Sequence, residues 1–321
     1  MTILNEYEAA TAAQRLGLPG SATLLASERD LTFRLRTQAC DYVLKICHPD
    51  EDAQMIALQL RVLRHLEATV PALPVPRVAG AARLEFADRQ ARETYILSWL
   101  PGMPLHDHPG GTAQAFALGQ MMAGMAQALA SLKPPAKAPE QLWDIYRALE
   151  IIPKLEGAEP HHSALVEPVL EEFATITKPG LDRLPAQLIH NDFNPHNLFV
   201  DKSNPAHVTG VIDFGDITVA PRVNDLAVAL SYRLPHASLR ATIPDWLAGY
   251  ESISPLSDAE QDLLPRLIRA RMAMTITIAS WRARRTPENA AYILRYRDGA
   301  EHCLAAGEGF FNDLFKRTNH V

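Results

Sequence analysis

Between Leu188 and Asp216 the chain reads LIHNDFNPHNLFVDKSNPAHVTGVIDFGD. His190 and Asp192 close a short apolar run, and Asn197 follows in the same loop. A second apolar run, HVTGVID, delivers Asp213, and Phe214-Gly215 turns the chain directly after it. Mg²⁺ is a hard cation that takes oxygen ligands, and near phosphates it uses few protein groups. Asn197 and Asp213 have the right oxygens for that task. Asp192 is then left to orient an acceptor hydroxyl and take its proton, which makes the set a phosphoryl-transfer arrangement. His190 is read as a brace for the loop and not as the proton acceptor. Singly, a strand ending in Asp before Gly, or an Asn-Pro pair, is an ordinary turn. The order His-x-Asp, Asn, strand, Asp-Phe-Gly is far rarer than its pieces.

A lysine upstream strengthens the reading. In DYVLKI, Val43, Lys45 and Cys47 share one face of a strand. A lone strand lysine is usually a solvated edge residue. Lys45 follows a hairpin pattern and precedes a helical one, where a phosphate-binding lysine belongs, and Val43 would lie against a nucleotide base.

The elements that must position these residues are legible in outline. LTFRLRT and DYVLKICH predict a hairpin of short strands. EDAQMIALQLRVLRHLEA has apolar residues at helical spacing at Ile56, Leu60, Leu63 and Leu66. ETYILSWL predicts a strand that Pro101-Gly102 ends. Beyond it, AFALGQMMAGMAQALASL predicts a helix whose methionines fill a core, residues 142–177 an interrupted helical stretch, and RVNDLAVALSYRL another helix. In that last helix Asp225 is expected to tie the helix start to the catalytic loop, as a carboxylate near a helix N-terminus can. SDAE at Ser257 to Glu260 has the form of a capping box, and Pro265 predicts a kink or break in the helix it opens. The fold class expected is α+β and bilobal: a small β-sheet lobe over 1–100 for the nucleotide and a larger, mainly helical lobe over 101–321 for catalysis and the acceptor.

Composition sets the bounds. The chain has 321 residues, 47% hydrophobic and 21% charged, with a formal charge of −6. It can bury a sizeable core, and its charge argues against a dedicated nucleic-acid binder. No stretch reaches the roughly 18 apolar residues of a membrane span, and the opening MTILNEYEAA lacks the basic start of a signal peptide. Three cysteines in no metal spacing fit a reduced, cytoplasmic compartment.

Taken together, HNDFNPHN, VIDFGD and VLKI resemble the catalytic loop, metal motif and lysine strand of the aminoglycoside phosphotransferase and choline kinase superfamily, which has the protein-kinase-like fold. RDLTFRL, LWDIYRALEIIPKLE, YESISPLSDAE and TPENAAYI are most similar to its hydroxylysine kinase branch. The resemblance implies a Mg²⁺-dependent transfer of the γ-phosphoryl group of ATP or GTP to a hydroxyl of an amino alcohol or hydroxylated amino acid. Aminoglycoside, choline or homoserine kinase is the alternative within that chemistry, and a nucleotide-binding pseudoenzyme the alternative outside it. Carried over by residue, Lys45 contacts phosphates, Asp192 is the catalytic base, Asn197 and Asp213 hold the metal, and Ser98, Trp99 and Leu100 form the hinge beside the base. The loop from Ser27 to Phe33 takes the phosphate-covering place without a glycine.

Two features stand apart. Kinases pair the lysine with a helix Glu; here that position reads Ala57, with Gln54 and Gln59 nearby and Glu51 a turn and a half before, so either Glu51 serves from a shifted helix or the ion pair is absent. On the acceptor side, Trp143, Asp144, Arg271, Trp281 and Arg282 are the candidates: Asp144 for an ammonium, Arg271 for a carboxylate through a bidentate pair. Each also has an ordinary structural reading, Trp143 as packing, Asp144 as a cap and Arg271 as the partner of a protein carboxylate. The missing His-Arg-Asp, and the few residues between DFGD and APRVNDLA with no recognisable activation segment, argue against a protein kinase.

Overall fold

The computed structural model describes residues 4–25 and 30–315. The chain separates into two compact units. The first holds 1–102 together with 209–215; the second holds 103–208 and 216–321. A continuous division at residue 100 leaves the return segment 209–215 in the other lobe, whereas its contacts place it with the first unit. The backbone N–H of Val211 donates to Pro74 O at 2.8 Å within that unit.

The first unit is an antiparallel sheet with one helix on each face. Helix α1 (Glu6–Arg15) starts at a capping box between Asn5 and Glu8. Strands β1 (Ser21–Leu25), β2 (Leu31–Arg36) and β3 (Asp41–Ile46), helix α2 (Ala53–Thr69), and strands β4 (Val78–Glu85) and β5 (Ala91–Ser98) follow. The strand order is β1-β2-β3-β5-β4. Successive side chains of a strand point to opposite faces, and β3 uses both. Leu44 and Ile46 join Phe33, Leu35 and Ile96 in a core covered by Ala9, Ala12 and Ala13 of α1. On the other face Cys47 and Tyr95 pack against Ile56 and Leu60 of α2. The β3–β5 register sets Val43 opposite Leu97 and Lys45 opposite Tyr95.

The second unit is mainly helical, as the sequence predicts. Its elements are β6 (Met103–Pro104), α3 (Thr112–Ala130), α4 (Pro160–Glu172), α5 (Lys178–Leu181), β7 (Ala186–Ile189), β8 (Leu198–Val200), β9 (Val208–Val211, whose end belongs to the first unit), β10 (Thr218–Pro221), α6 (Val223–Arg233), α7 (Ala237–Arg240), α8 (Ile243–Ile253), α9 (Asp258–Arg285), α10 (Ala290–Ile293), α11 (Arg297–Ala305) and α12 (Glu308–Phe315). Helices α3 and α8 cross in backbone contact, because a Cβ on Gly119 would collide with Trp246 O and one on Gly249 with Phe116 O. The methionines Met121, Met122 and Met125 are core residues of α3.

The long helix α9 differs from expectation. Its capping box is present, with Ser257 and Glu260 bonded reciprocally, but the helix runs unbroken through Pro265 for 28 residues. A proline in a helix interior costs about 3 kcal/mol. Leu263, Leu264, Leu267 and Ile268 are all buried around it, and burying one such side chain returns roughly 1.5–3 kcal/mol. Packing therefore outweighs the lost hydrogen bond. No helix among the described residues is long and apolar enough to cross a membrane.

Candidate active site

In the first unit, Lys45 points from β3 toward Asp213, with Nζ 3.9 Å from Oδ1. Burial pulls the Lys45 ammonium down, but Asp213, Tyr95 and Asp30 outweigh it and the net shift is upward. The amine is therefore a fixed cation. Asp213 is exposed along half its side chain and sits at φ 64°, the left-handed region. Asp and Asn tolerate that region better than other side chains.

The helix residue facing this pair is Gln59 and not Ala57. Ala57 is exposed. Gln59 Oε1 accepts from the Tyr95 hydroxyl at 3.4 Å, and its Nε2 lies 3.7 Å from where a Cβ on Gly215 would be. Two residues along a helix turn about 200°, so a register error of two moves the site residue to the opposite face. An amide of α2 thus stands beside Tyr95 and Gly215.

Ser98 ends β5, and Trp99 and Leu100 follow it. Ser98 Oγ accepts from the N–H of Arg77 at 2.8 Å. The N–H of Trp99 donates to Asp41 O at 3.3 Å, and its ring lies under Arg34 at 4.7 Å. The backbone of Leu100 has no hydrogen-bond partner among the described residues. Val43 is half-buried on the same sheet face as Lys45. Of the loop Ser27 to Phe33, residues 27–29 lie outside the described residues.

In the second unit, β7 leads into the loop from His190 to Asn197, and α6 clamps it. Asp225 accepts the N–H of His190 at 3.0 Å and that of Asn191 at 2.6 Å. Burial pushes the Asp225 carboxyl up to about 7, against the pull of those two amides. Asn191 occupies φ 66°. His190, fully buried, accepts the N–H of Asp192 on Nδ1 at 3.2 Å. It is a brace, as its spacing predicts. Asp192 Oδ2 accepts from Asn194 Nδ2 at 2.9 Å and from Asn197 Nδ2 at 2.7 Å. Asn197 Nδ2 also bonds Asp192 O at 3.1 Å. With its amide nitrogen engaged twice, Asn197 keeps Oδ1, the atom a hard cation prefers, clear of any protein donor among the described residues. The donor chemistry of Asn197 and Asp213 therefore fits a divalent metal.

Three acceptor-side residues turn inward to protein groups. Asp144 is 2% exposed. It caps the turn after it by accepting from Tyr146 N at 2.9 Å, and its other oxygen accepts from Thr218 Oγ1 at 3.0 Å. Trp143 lies beneath the Arg271 guanidinium at 4.8 Å. Arg271 is 1% exposed. Its Nη1 donates to Trp143 O at 2.5 Å, its Nη2 to the Tyr232 hydroxyl at 3.5 Å, and Nη2 stands 3.9 Å from Asp192 Oδ1. Its nearest anion is thus a protein carboxylate.

Residues that sequence reasoning passed over extend from this group. Tyr232 meets Tyr296 edge to face at 4.8 Å, and Tyr296 meets His196 of the catalytic loop at 5.9 Å. The Arg295 guanidinium stacks on Tyr292 at 3.7 Å and on Tyr296 at 4.9 Å, and donates to Tyr292 O at 2.7 Å. It is exposed and has no carboxylate partner among the described residues. The signal was the run of Tyr and Arg in YILRYR, which has no apolar period to explain it.

The model of a phosphotransferase enzyme family matches residues 21–263, and the chain belongs to that family. It is an enzyme that transfers phosphate to a hydroxyl group of a small molecule, and family membership implies a nucleotide as phosphoryl donor and typically a divalent metal. The chain is 27% identical to a hydroxylysine kinase of Xenopus laevis over 279 residues, covering 79% of this chain and 74% of that protein. It is 26% identical to a homoserine kinase of Xanthobacter autotrophicus over 278 residues, covering 84% and 82%. Among solved structures, a microcompartment-associated aminopropanol kinase superposes with a TM-score of 0.70 at 21% identity, over 91% of this chain and 94% of that one. That likeness shows the fold: the protein-kinase-like α+β architecture expected from the motifs.

Proposed function

We propose that the enzyme phosphorylates the hydroxyl of a small hydroxylated amino acid, hydroxylysine-like, using ATP or GTP with Mg²⁺. The observation that carries the acceptor class is Arg295. An exposed guanidinium, held in place by two tyrosine rings and a carbonyl and lacking a carboxylate partner among the described residues, is suited to a bidentate substrate carboxylate. An amino alcohol such as aminopropanol offers no such group. The hydroxylysine and homoserine kinases among the relatives are named for acceptors that carry one.

In this reading Lys45 holds the nucleotide phosphates, Val43 and the strand end Ser98, Trp99 and Leu100 receive the base, and the unpaired backbone of Leu100 is the group for its edge. Asn197 and Asp213 hold the metal, which supplies charge neutralisation on the phosphates. Asp192 orients the acceptor hydroxyl and takes its proton. The acceptor oxygen bonds the γ-phosphorus while the bond to the bridging oxygen of the leaving diphosphate breaks. Such transfer proceeds largely by positioning and electrostatics, and the loop serves that end through the amides on Asp192 and the clamp from Asp225. Trp143 and Asp144 act from beneath, as supports, because their polar groups are engaged with protein.

The test is a panel of hydroxylated amines and amino acids, each amino acid matched with its decarboxylated amine. Phosphorylation of the amino acids in preference to the matched amines supports the reading. Preference for the amines points to an amino-alcohol kinase. Nucleotide binding with no transfer to any acceptor points to a pseudoenzyme.

A further inference from the structure

Arg271, 1% exposed, is the most deeply buried arginine of the second unit among the described residues. Its charge is permanent. Burying it without an anion costs heavily, and the two hydrogen bonds it makes are to neutral oxygens, Trp143 O and the Tyr232 hydroxyl. Its nearest anion is Asp192, at 3.9 Å. That separation exceeds hydrogen-bond length, so the interaction is one of charge and direction. The guanidinium itself is immobilised: Trp143 covers its face, and Trp143 O and Tyr232 fix two of its nitrogens.

We infer that Arg271 is a positioning residue for Asp192. Asn194 and Asn197 hold Oδ2 of the carboxylate from the loop side. Arg271 faces Oδ1 from helix α9. The carboxylate is thereby oriented from two independent elements, one local in sequence and one 79 residues away. A misplacement of about 1 Å in such a group can cost 10²-fold in rate. The inference rests on Asp192 being the base, as proposed above, and it assigns Arg271 no contact with substrate.

The experiment is a double-mutant cycle on the full chain, with kcat, both KM values and the melting temperature measured for Arg271→Met, Arg271→Lys, Asp192→Asn and the double variants. Arg271→Met is expected to lower kcat by roughly 10²-fold while leaving both KM values within a few-fold. Arg271→Lys, which keeps the charge, should recover a large part of that loss. In the Asp192→Asn background, replacing Arg271 should cost little further. If Arg271→Met does not fold, Arg271→Gln, which also removes the charge, carries the cycle by the same criterion. An equal loss in both backgrounds overturns the inference, as does a rise in acceptor KM at unchanged kcat, which would make Arg271 a substrate-binding residue. Near-normal turnover in Asp192→Asn alone is a different result: it removes the role given to Asp192 itself.

Discussion

Lys45 and Asp213 face each other at 3.9 Å although 168 positions separate them in the chain, and one of the two holds a left-handed backbone to do so. The lysine stands on a strand whose alternate residues fill the core. The carboxylate is set after a short strand that is bonded to Pro74. On α2, Gln59 lies beside Tyr95 and Gly215.

Asp213→Asn separates charge from conformation, because asparagine adopts positive φ about as readily as aspartate. The variant should fold with an unchanged melting temperature, and Mg²⁺ should no longer strengthen its nucleotide binding. Titrations of nucleotide with and without Mg²⁺ measure this. An intact metal effect would reduce Asp213 to a turn residue.

Asp192→Asn should retain nucleotide affinity and lose about 10²–10⁴-fold in kcat, the usual contribution of a positioned base. Steady-state kinetics alongside nucleotide binding by calorimetry distinguish this from a folding defect. Turnover close to that of the parent enzyme would exclude Asp192 as base.

Arg295→Gln should raise KM for hydroxylated amino acids by roughly tenfold, since a hydrogen bond to a charged group is worth about 1.5–3 kcal/mol and 1.4 kcal/mol is a factor of ten. The matched amine should be unaffected. Equal effects on both acceptors would show that Arg295 does not meet the carboxylate.

Asp225 makes stability depend on pH in a defined direction. Its carboxyl titrates near 7 when folded and near 3.9 when unfolded. Below pH about 4 it is protonated in both states, and its contribution is fully present. Between about 4 and 7 the unfolded chain releases a proton that the folded chain keeps, so stability falls as pH rises, and the loss is complete above about 7. Denaturation of the parent and Asp225→Asn across pH 4 to 8 should show this decline in the parent and its absence in the variant. Parallel profiles would refute it.

Much of the scaffold was legible because it obeys simple periods. The β2–β3 hairpin alternates, α2 repeats its apolar residues every three to four positions, and the capping box at Ser257 reads directly. Asp225 was also expected to tie its helix to the catalytic loop, and it does so through two backbone amides. What failed depended on how elements meet. Which residues α2 turns toward the sheet needed the rotation of the helix, which its own apolar stripe does not fix to within two residues: Ala57 is exposed, whereas Gln59 meets Tyr95. Pro265 was judged by local cost, whereas the packing of its neighbours decided. For Arg271 the type of residue showed that an anion must be near, but the candidates lay on other elements, and only the packing of α9 against the loop names Asp192. Arg295 went unremarked because an exposed arginine in a Tyr-rich stretch looks like ordinary surface.

The reciprocal bonds of Ser257 and Glu260 are themselves gripped by Arg222, whose Nε and Nη2 reach the two Glu260 oxygens at 2.7 and 2.9 Å just ahead of α6. Helix α9 is thus fastened at its first turn, and Arg271 rides about 20 Å further along at 1.5 Å per residue. The helix works as a measuring rod: the distance from its fastening, in whole residues, sets both the height and the compass bearing of the guanidinium. One residue inserted or deleted anywhere between would swing Arg271 by about 100° and carry it off Trp143 and Asp192 together. Over this span it is the number of residues, more than the identity of any one on the outer face, that places the guanidinium.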